Sequence, residues 1–92
     1  MTEEVPALEA KDFDRALSAH TRARMLRGDF QRGDVGRLRR FLGLSQEAFA
    51  EALRISVHTL RNWEQGRRVP RGAAVGLLRI VARSPRLILQ YR

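Results

Sequence analysis

Within seven positions, Ser56-Val57-His58-Thr59-Leu60-Arg61-Asn62, the chain groups hydroxyl, aliphatic, imidazole, guanidinium and carboxamide side chains. On a helix, positions 57, 58, 61 and 62 would share one outward face, because residues three and four apart are surface neighbours. These groups suit recognition by hydrogen bonding rather than bond making. A carboxamide such as Asn62 can pair bidentately with adenine, a guanidinium such as Arg61 with guanine, and the Val57 methyls can meet a thymine methyl. Arg61 is also suited to a phosphate or to a neighbouring acid. Ser56 and His58 do not make a nucleophile, since neighbours on one exposed turn lack the positioning base and oxyanion donors that role needs. No catalytic residue is expected in the chain.

The next cations, Arg67, Arg68 and Arg71, fall in a loop just beyond this segment and suit the phosphates that position a protein on a duplex. The charge of the whole chain agrees. A net +8 calls for a polyanionic partner, either nucleic acid or an anionic surface. That charge is uneven: residues 1–14 carry a net −4, whereas residues 15–44 and 45–92 carry +6 each. Seventeen of the eighteen cations are arginine, whose planar fork fits phosphate and guanine edges, although a GC-rich genome also favours arginine. There is no cysteine, which removes disulfides, thiolate catalysis and cysteine-ligated zinc. His20 and His58 lie far apart without ligand spacing. Neither a metal nor a cofactor is expected. The longest apolar stretches, around 73–78 and 87–89, are far below the roughly 20 residues of a membrane span. The expectation is therefore a cytoplasmic protein without membrane association.

Ninety-two residues allow one compact domain plus an arm. Strand signals are sparse, and the chain is expected to be all-α, with about five short helices preceded by an N-terminal helical arm. The arm spans residues 1–33, and its helix is expected to follow Asp12 as N-cap, with Phe13, Ala16, Leu17, His20 or Thr21, and Arg24 on one face. Gly28–Gly33 is expected to be a flexible connector. The domain proper spans residues 34–92. Asp34 is a candidate cap for a helix with Val35, Leu38, Phe41 and Leu42 buried, and Gly43 suits its left-handed stop. Ser45 caps the next helix, with Phe49, Ala50 and Leu53 inward. After a break at Arg54-Ile55, Ser56 caps a third, with Leu60 and Trp63 inside. Trp63 is suited to stacking on a base, but its place beside Leu60 reads as core. Pro70 and Gly72 mark a loop before an apolar helix holding Ala73, Leu77, Leu78, Ile80 and Val81. Pro85 then opens a short last helix over 86–90. Arg39 and Arg40 read as the wet side of their helix, and Glu64 as an ion-pair partner.

Two capped helices of about eight residues joined by a short turn, with Ala50 small at their crossing, have helix-turn-helix geometry. Residues 35–83 resemble the lambda-repressor-like, XRE-type helix-turn-helix domain. More narrowly, Gly43-Leu44-Ser45-Gln46-Glu47 and Thr59-Leu60-Arg61-Asn62-Trp63-Glu64-Gln65-Gly66-Arg67-Arg68, with the run from Val69 to Arg79, resemble HigA-type antitoxins of type II toxin–antitoxin modules. One departure is Arg54, where that family's turn usually carries glycine; a side chain in the left-handed region costs on the order of 1 kcal/mol. The resemblance implies that Ser45 and Gln46 clamp a phosphate, that Ser56, Val57, His58, Arg61 and Asn62 read bases, and that Arg67, Arg68 and Arg71 hold the backbone.

It also implies a partner. In antitoxins of this layout the segment before the helix-turn-helix often engages a small RelE-fold ribonuclease toxin. Phe13, Leu17, Met25, Leu26 and Phe30 are the apolar candidates for that contact, and the acidic start suits a basic ribonuclease. The competing expectation is an extra helix packed on its own domain or on a dimer mate. Leu87, Ile88, Leu89 and Tyr91 are more apolar than a solvated tail needs and are the candidate homodimer interface. The function implied is an antitoxin that neutralises its toxin and, as a dimer on double-stranded operator DNA, represses its own operon. A stand-alone XRE-type repressor without a toxin is the first alternative, and a basic scaffold for RNA or anionic surfaces the second.

Overall fold

Serine hydroxyls start three of the six helices in the computed structural model, which describes residues 17–90 and their side chains through Ile88. Ser18 opens α1 (Ala19–Leu26), Ser45 opens α3 (Gln46–Leu53) and Ser56 opens α4 (Val57–Glu64). Each hydroxyl accepts the amide three residues on, at 3.0 Å, and so satisfies a donor that has no partner within the helix. The remaining helices are α2 (Asp34–Leu42), α5 (Ala73–Arg83) and α6 (Pro85–Gln90), and every regular element among the described residues is helical. None of these helices is long and apolar enough to cross a membrane.

The helix carrying His20 thus begins at Ser18, whereas sequence reasoning began it at Asp12; positions 12–16 lie outside the described residues. The stops follow the sequence more closely. Gly43 ends α2 in the left-handed region with φ 75°, and Arg54 ends α3 at φ 63°, the only non-glycine residue among those described with positive φ. Its amide still closes onto the Glu51 carbonyl, so the turn to α4 keeps its form at the cost of a strained arginine.

One core serves all six helices. Val35 and Leu38 of α2, Phe49 and Leu53 of α3, Leu60 and Trp63 of α4, Leu78 and Val81 of α5, and Ile88 of α6 are buried together. Met25 of α1 is fully buried with them, and Phe30 on the following turn is 7% exposed. Phe41 and Leu42, expected in the α2 stripe, are only half-buried. The surprise is α5, where the apolar run splits: Leu78 and Val81 face inward while Leu77 and Ile80 are 40% and 53% exposed.

Antiparallel packing of α1 on α5 explains why Met25 turns inward. The Arg22 guanidinium donates to the carbonyls of Ala82 and Arg83 at 3.0 and 3.2 Å, and Arg79 donates to the Leu26 carbonyl at 3.0 Å. Each helix therefore supplies the cation at the other's C-terminus, where free carbonyls and the helix dipole favour positive charge. Sequence reasoning set a boundary at residue 33, yet Met25 of α1 and Phe30 of the following turn belong to the same core as α2–α6.

That turn is anchored rather than slack, which corrects the flexible connector. The Asp34 side chain is fully buried and accepts from Arg24 Nη1 and Nη2 at 2.6 and 3.2 Å, from Arg37 Nη1 at 3.0 Å and from the Gln31 amide at 2.9 Å. Burial alone would raise the Asp34 pKa. The Arg24 hydrogen bonds, the Gln31 amide and the charges of Arg24 and Arg37 outweigh that and hold it below the usual carboxylate range. Asp34 is therefore the first residue of α2, drawn inward by Arg24, and Gly33 takes the cap position in its stead.

Candidate nucleic-acid interface

α3 and α4 meet as a helix pair across the turn Arg54-Ile55-Ser56, and three other groups fix how α4 sits. Trp63, 8% exposed, belongs to the common core and lines a small apolar cavity with Leu53, Ile55 and Leu78. Gly36 lets α2 close down on the end of α4, since a Cβ there would stand 3.3 Å from Glu64 Cγ. Glu64 then takes Arg39 as a bidentate partner, with Nε to Oε2 at 2.5 Å and Nη2 to Oε1 at 3.0 Å. Arg39 also donates to the Leu44 carbonyl, tying α2, the α2–α3 turn and α4 together. Burial pushes the Glu64 carboxyl up, but the hydrogen bonds from Arg39 and Gln46 and the charges of Arg39 and Arg40 win and lower it. Glu64 is thus an ion-pair partner, as sequence reasoning expected. Arg39, expected on the wet side of its helix, is instead held in this pair with its side chain 17% exposed.

From that seat α4 presents its polar side outward. His58 and Arg61 are exposed, while Val57 and Asn62 are half-buried at the edge of the core. The Asn62 Nδ2 lies 3.4 Å from His58 Nε2, so the carboxamide and imidazole sit side by side. Ser56 is exposed, but its hydroxyl is engaged as the cap and with Thr59 Oγ1 at 3.0 Å. Ser45 is likewise a cap.

Gln46 does something the sequence did not suggest. Its Nε2 donates to Glu64 Oε1 at 3.0 Å and its Oε1 accepts from Arg61 Nε at 3.1 Å. The carboxamide therefore bridges a held carboxylate to a base-reading candidate and orients Arg61 through the Arg39–Glu64 pair. Arg61 also lies 3.7 Å from Glu47, but both side chains are more than half exposed, so that contact is worth little in water.

Beside α4 opens a cleft of about 780 Å³ lined by His58, Thr59, Asn62 and Trp63 on the helix and by Arg67, Arg68, Val69 and Arg71 on the following loop. The amides of Arg67 and Arg68 both point to the Asn62 carbonyl, at 3.0 and 3.4 Å, which folds the loop back over the end of α4. Arg67, Arg68 and Arg71 are all exposed. Arg32 lines the same cleft from the α1–α2 turn, a position with no local signal in the sequence. The polar side chains of His58 and Asn62 and four arginines thus share one face.

The partner-facing candidates fare differently. Burial in the chain's own core takes Met25 and Phe30 off the surface a toxin would need, correcting their assignment to a docking arm. Leu17 and Leu26 are half-buried against that core. Phe13 lies outside the described residues. At the other end Ile88, 6% exposed, is core rather than dimer surface, while Leu87 is 53% exposed. Tyr91 and the Leu89 side chain are also outside the described set.

Such a helix pair is the unit with which DNA-binding regulators present side chains to the major groove. The chain belongs to the helix-turn-helix domain family, whose match covers residues 21–88. Antitoxin HigA-2 of Vibrio cholerae serotype O1 (strain ATCC 39315 / El Tor Inaba N16961) is 46% identical to it over 52 residues, which cover 56% of this chain and 50% of that protein. The chain therefore spans about half the length of the curated relative it matches. No solved structure gives a significant match.

Proposed function

We propose that the chain is an antitoxin that represses its own operon, with α4 in the major groove of the operator and a homodimer placing two such helices on half-sites about 34 Å apart. The observation that carries the DNA half of this reading is the grouping of exposed His58 and Arg61 with half-buried Val57 and Asn62 beside a cleft rimmed by arginines. Asn62 and Arg61 read purine edges, Val57 meets a thymine methyl, and Arg67, Arg68 and Arg71 hold phosphates. In the dimer Leu87 remains a contact candidate, and exposed Leu77 and Ile80 on α5 add apolar surface. For the toxin half, similarity to a protein named as an antitoxin supports a cognate toxin. The contact falls to Phe13, Leu17 and Leu26 with the acidic residues 1–14.

A stand-alone repressor is the second reading, and the burial of Met25 and Phe30 favours it, because both are satisfied without a partner. Co-expression with the adjacent small reading frame separates the two: a stable complex and relief of growth arrest support the antitoxin, and the absence of both leaves the repressor. The DNA chemistry is tested on its own. Asn62→Ala will cost about 1–3 kcal/mol at one base pair of each half-site, whereas Arg68→Ala will weaken operator and scrambled duplexes alike. Titration of both duplexes reads this directly, and an unchanged sequence preference in Asn62→Ala would displace the reading face from α4. A basic scaffold would discriminate between no two duplexes.

A further inference from the structure

Arg32 sits on the turn before α2, but its side chain ends 34 residues on, at the close of α4. Its Nη1 donates to the Gly66 carbonyl at 2.5 Å. Gly66 is in the left-handed region, φ +79°, and a Cβ there would stand 3.5 Å from Arg32 Cβ and 3.7 Å from Cγ and Cδ, so the stem lies along bare backbone. A guanidinium has five N–H donors, and this contact uses one. Among the described residues no carboxylate pairs with Arg32. The contrast is with Arg24 and Arg37, whose guanidinium groups are committed to buried Asp34, and with Arg39, which is committed to part-buried Glu64. The donors of Arg32 that remain belong to the cleft it shares with Arg67, Arg68, Arg71, His58 and Asn62, and no acid is among the residues lining that cleft.

We propose that Arg32 is a fourth backbone-phosphate ligand, and that the cleft holds one phosphodiester strand while α4 reads the bases beside it. This rests on the assignment of α4 as the reading helix. Four guanidinium groups around one concavity define a polyanion site, and its continuity with His58 and Asn62 favours a strand over a free anion. The bond to Gly66 holds the Arg32 guanidinium in place before DNA arrives, so less side-chain freedom is lost on binding. Because Arg32 touches phosphate alone, it adds affinity without adding preference. Its anchorage at Gly66 ties it to the end of the reading helix, so the helix and the gripped strand keep one register.

The test compares the wild type, Arg32→Gln and Arg32→Lys on a duplex from the promoter just upstream of the gene and on a scrambled duplex of equal length, titrated between 50 and 200 mM salt, the range over which phosphate contacts are roughly counted. Arg32→Gln is expected to weaken both duplexes by the same factor and to make the slope of log affinity against log salt shallower by about 0.9 per subunit, with Arg32→Lys keeping the wild-type slope. A purely structural role at Gly66 would lower the melting temperature of both variants and leave the slope alone, which overturns the proposal. So would an Arg32→Gln effect confined to the promoter duplex, since that marks a base contact. Inorganic phosphate at constant ionic strength, if it competed away the difference between wild type and Arg32→Gln, would replace the strand with a single-anion site. Wild type that fails to discriminate the two duplexes would instead sink the α4 assignment, and the clamp with it.

Discussion

Replacing Asp34 with alanine will destabilise the protein by about 3–5 kcal/mol, the loss expected when one partner is removed from a buried ion pair and its counter-charge is left behind. The reason is the company this carboxylate keeps: it is fully buried, Arg24 is 12% exposed, and the Gln31 amide and Arg37 complete its shell. A domain of this size has on the order of 5–15 kcal/mol in total, so the variant will be partly or wholly unfolded at growth temperature. Asp34→Asn fares little better, because an amide cannot balance two guanidinium groups. Urea unfolding of the wild type and the two variants measures this, and a loss under about 1 kcal/mol would mean the pair is not closed in solution. Acid provides an independent check. The folded-state pKa of Asp34 is held down relative to about 3.9 in the unfolded chain, so the unfolded state binds more protons in the interval between them. Its contribution is fully present at neutral pH, begins to fade below about pH 4, and is lost as pH falls through the depressed value. Glu64 has the same sign. Removing Asp34 will therefore flatten the acid limb of the stability curve without abolishing it.

Trp63→Ala is the second large effect, again about 3–5 kcal/mol, from lost transfer energy and the cavity left where the ring had been. Trp63 is 8% exposed, lines an apolar cavity with Leu53, Ile55, Ala74 and Leu78 between the α3–α4 turn and α5, and also borders the basic cleft. Removing it loosens the helix that carries His58, Arg61 and Asn62, so operator binding will fall together with stability. Trp63→Phe keeps most of the packing and will keep most of both. Paired melting curves and operator titrations distinguish this from a base-stacking role: stacking predicts weaker DNA binding at nearly unchanged melting temperature. That pattern would move Trp63 from the core to the interface.

The capping chemistry was legible because it is local. A serine followed three residues later by a free amide needs nothing from elsewhere, and Ser45 and Ser56 cap where the residue pattern put them, as does the stop at Gly43. The buried places of Leu60 and Trp63 were legible for the same reason, since helical spacing sets Phe49, Leu53, Leu60 and Trp63 on facing sides of two short helices. Glu64 reads as an ion-pair partner, but which cation meets which acid was not legible. Asp34 has every mark of a cap until Arg24, ten residues back, takes its carboxylate, and Arg39 looks solvated until Glu64 arrives from 25 residues on.

Composition, helical spacing and end signals therefore settled the helical class and the paired helices, because each depends on contacts within a turn or two. Tertiary packing alone decided the rest: which side of the apolar α5 is covered, whether Met25 and Phe30 are surface or core, and which of seventeen arginines are committed to acids. Those outcomes hinge on groups 10 to 61 residues apart along the chain, such as Arg24 with Asp34 and Arg22 with the Arg83 carbonyl. Periodicity carries no information at that range. An arginine's free donors, and hence its availability to a phosphate, exist only once its neighbours are in place.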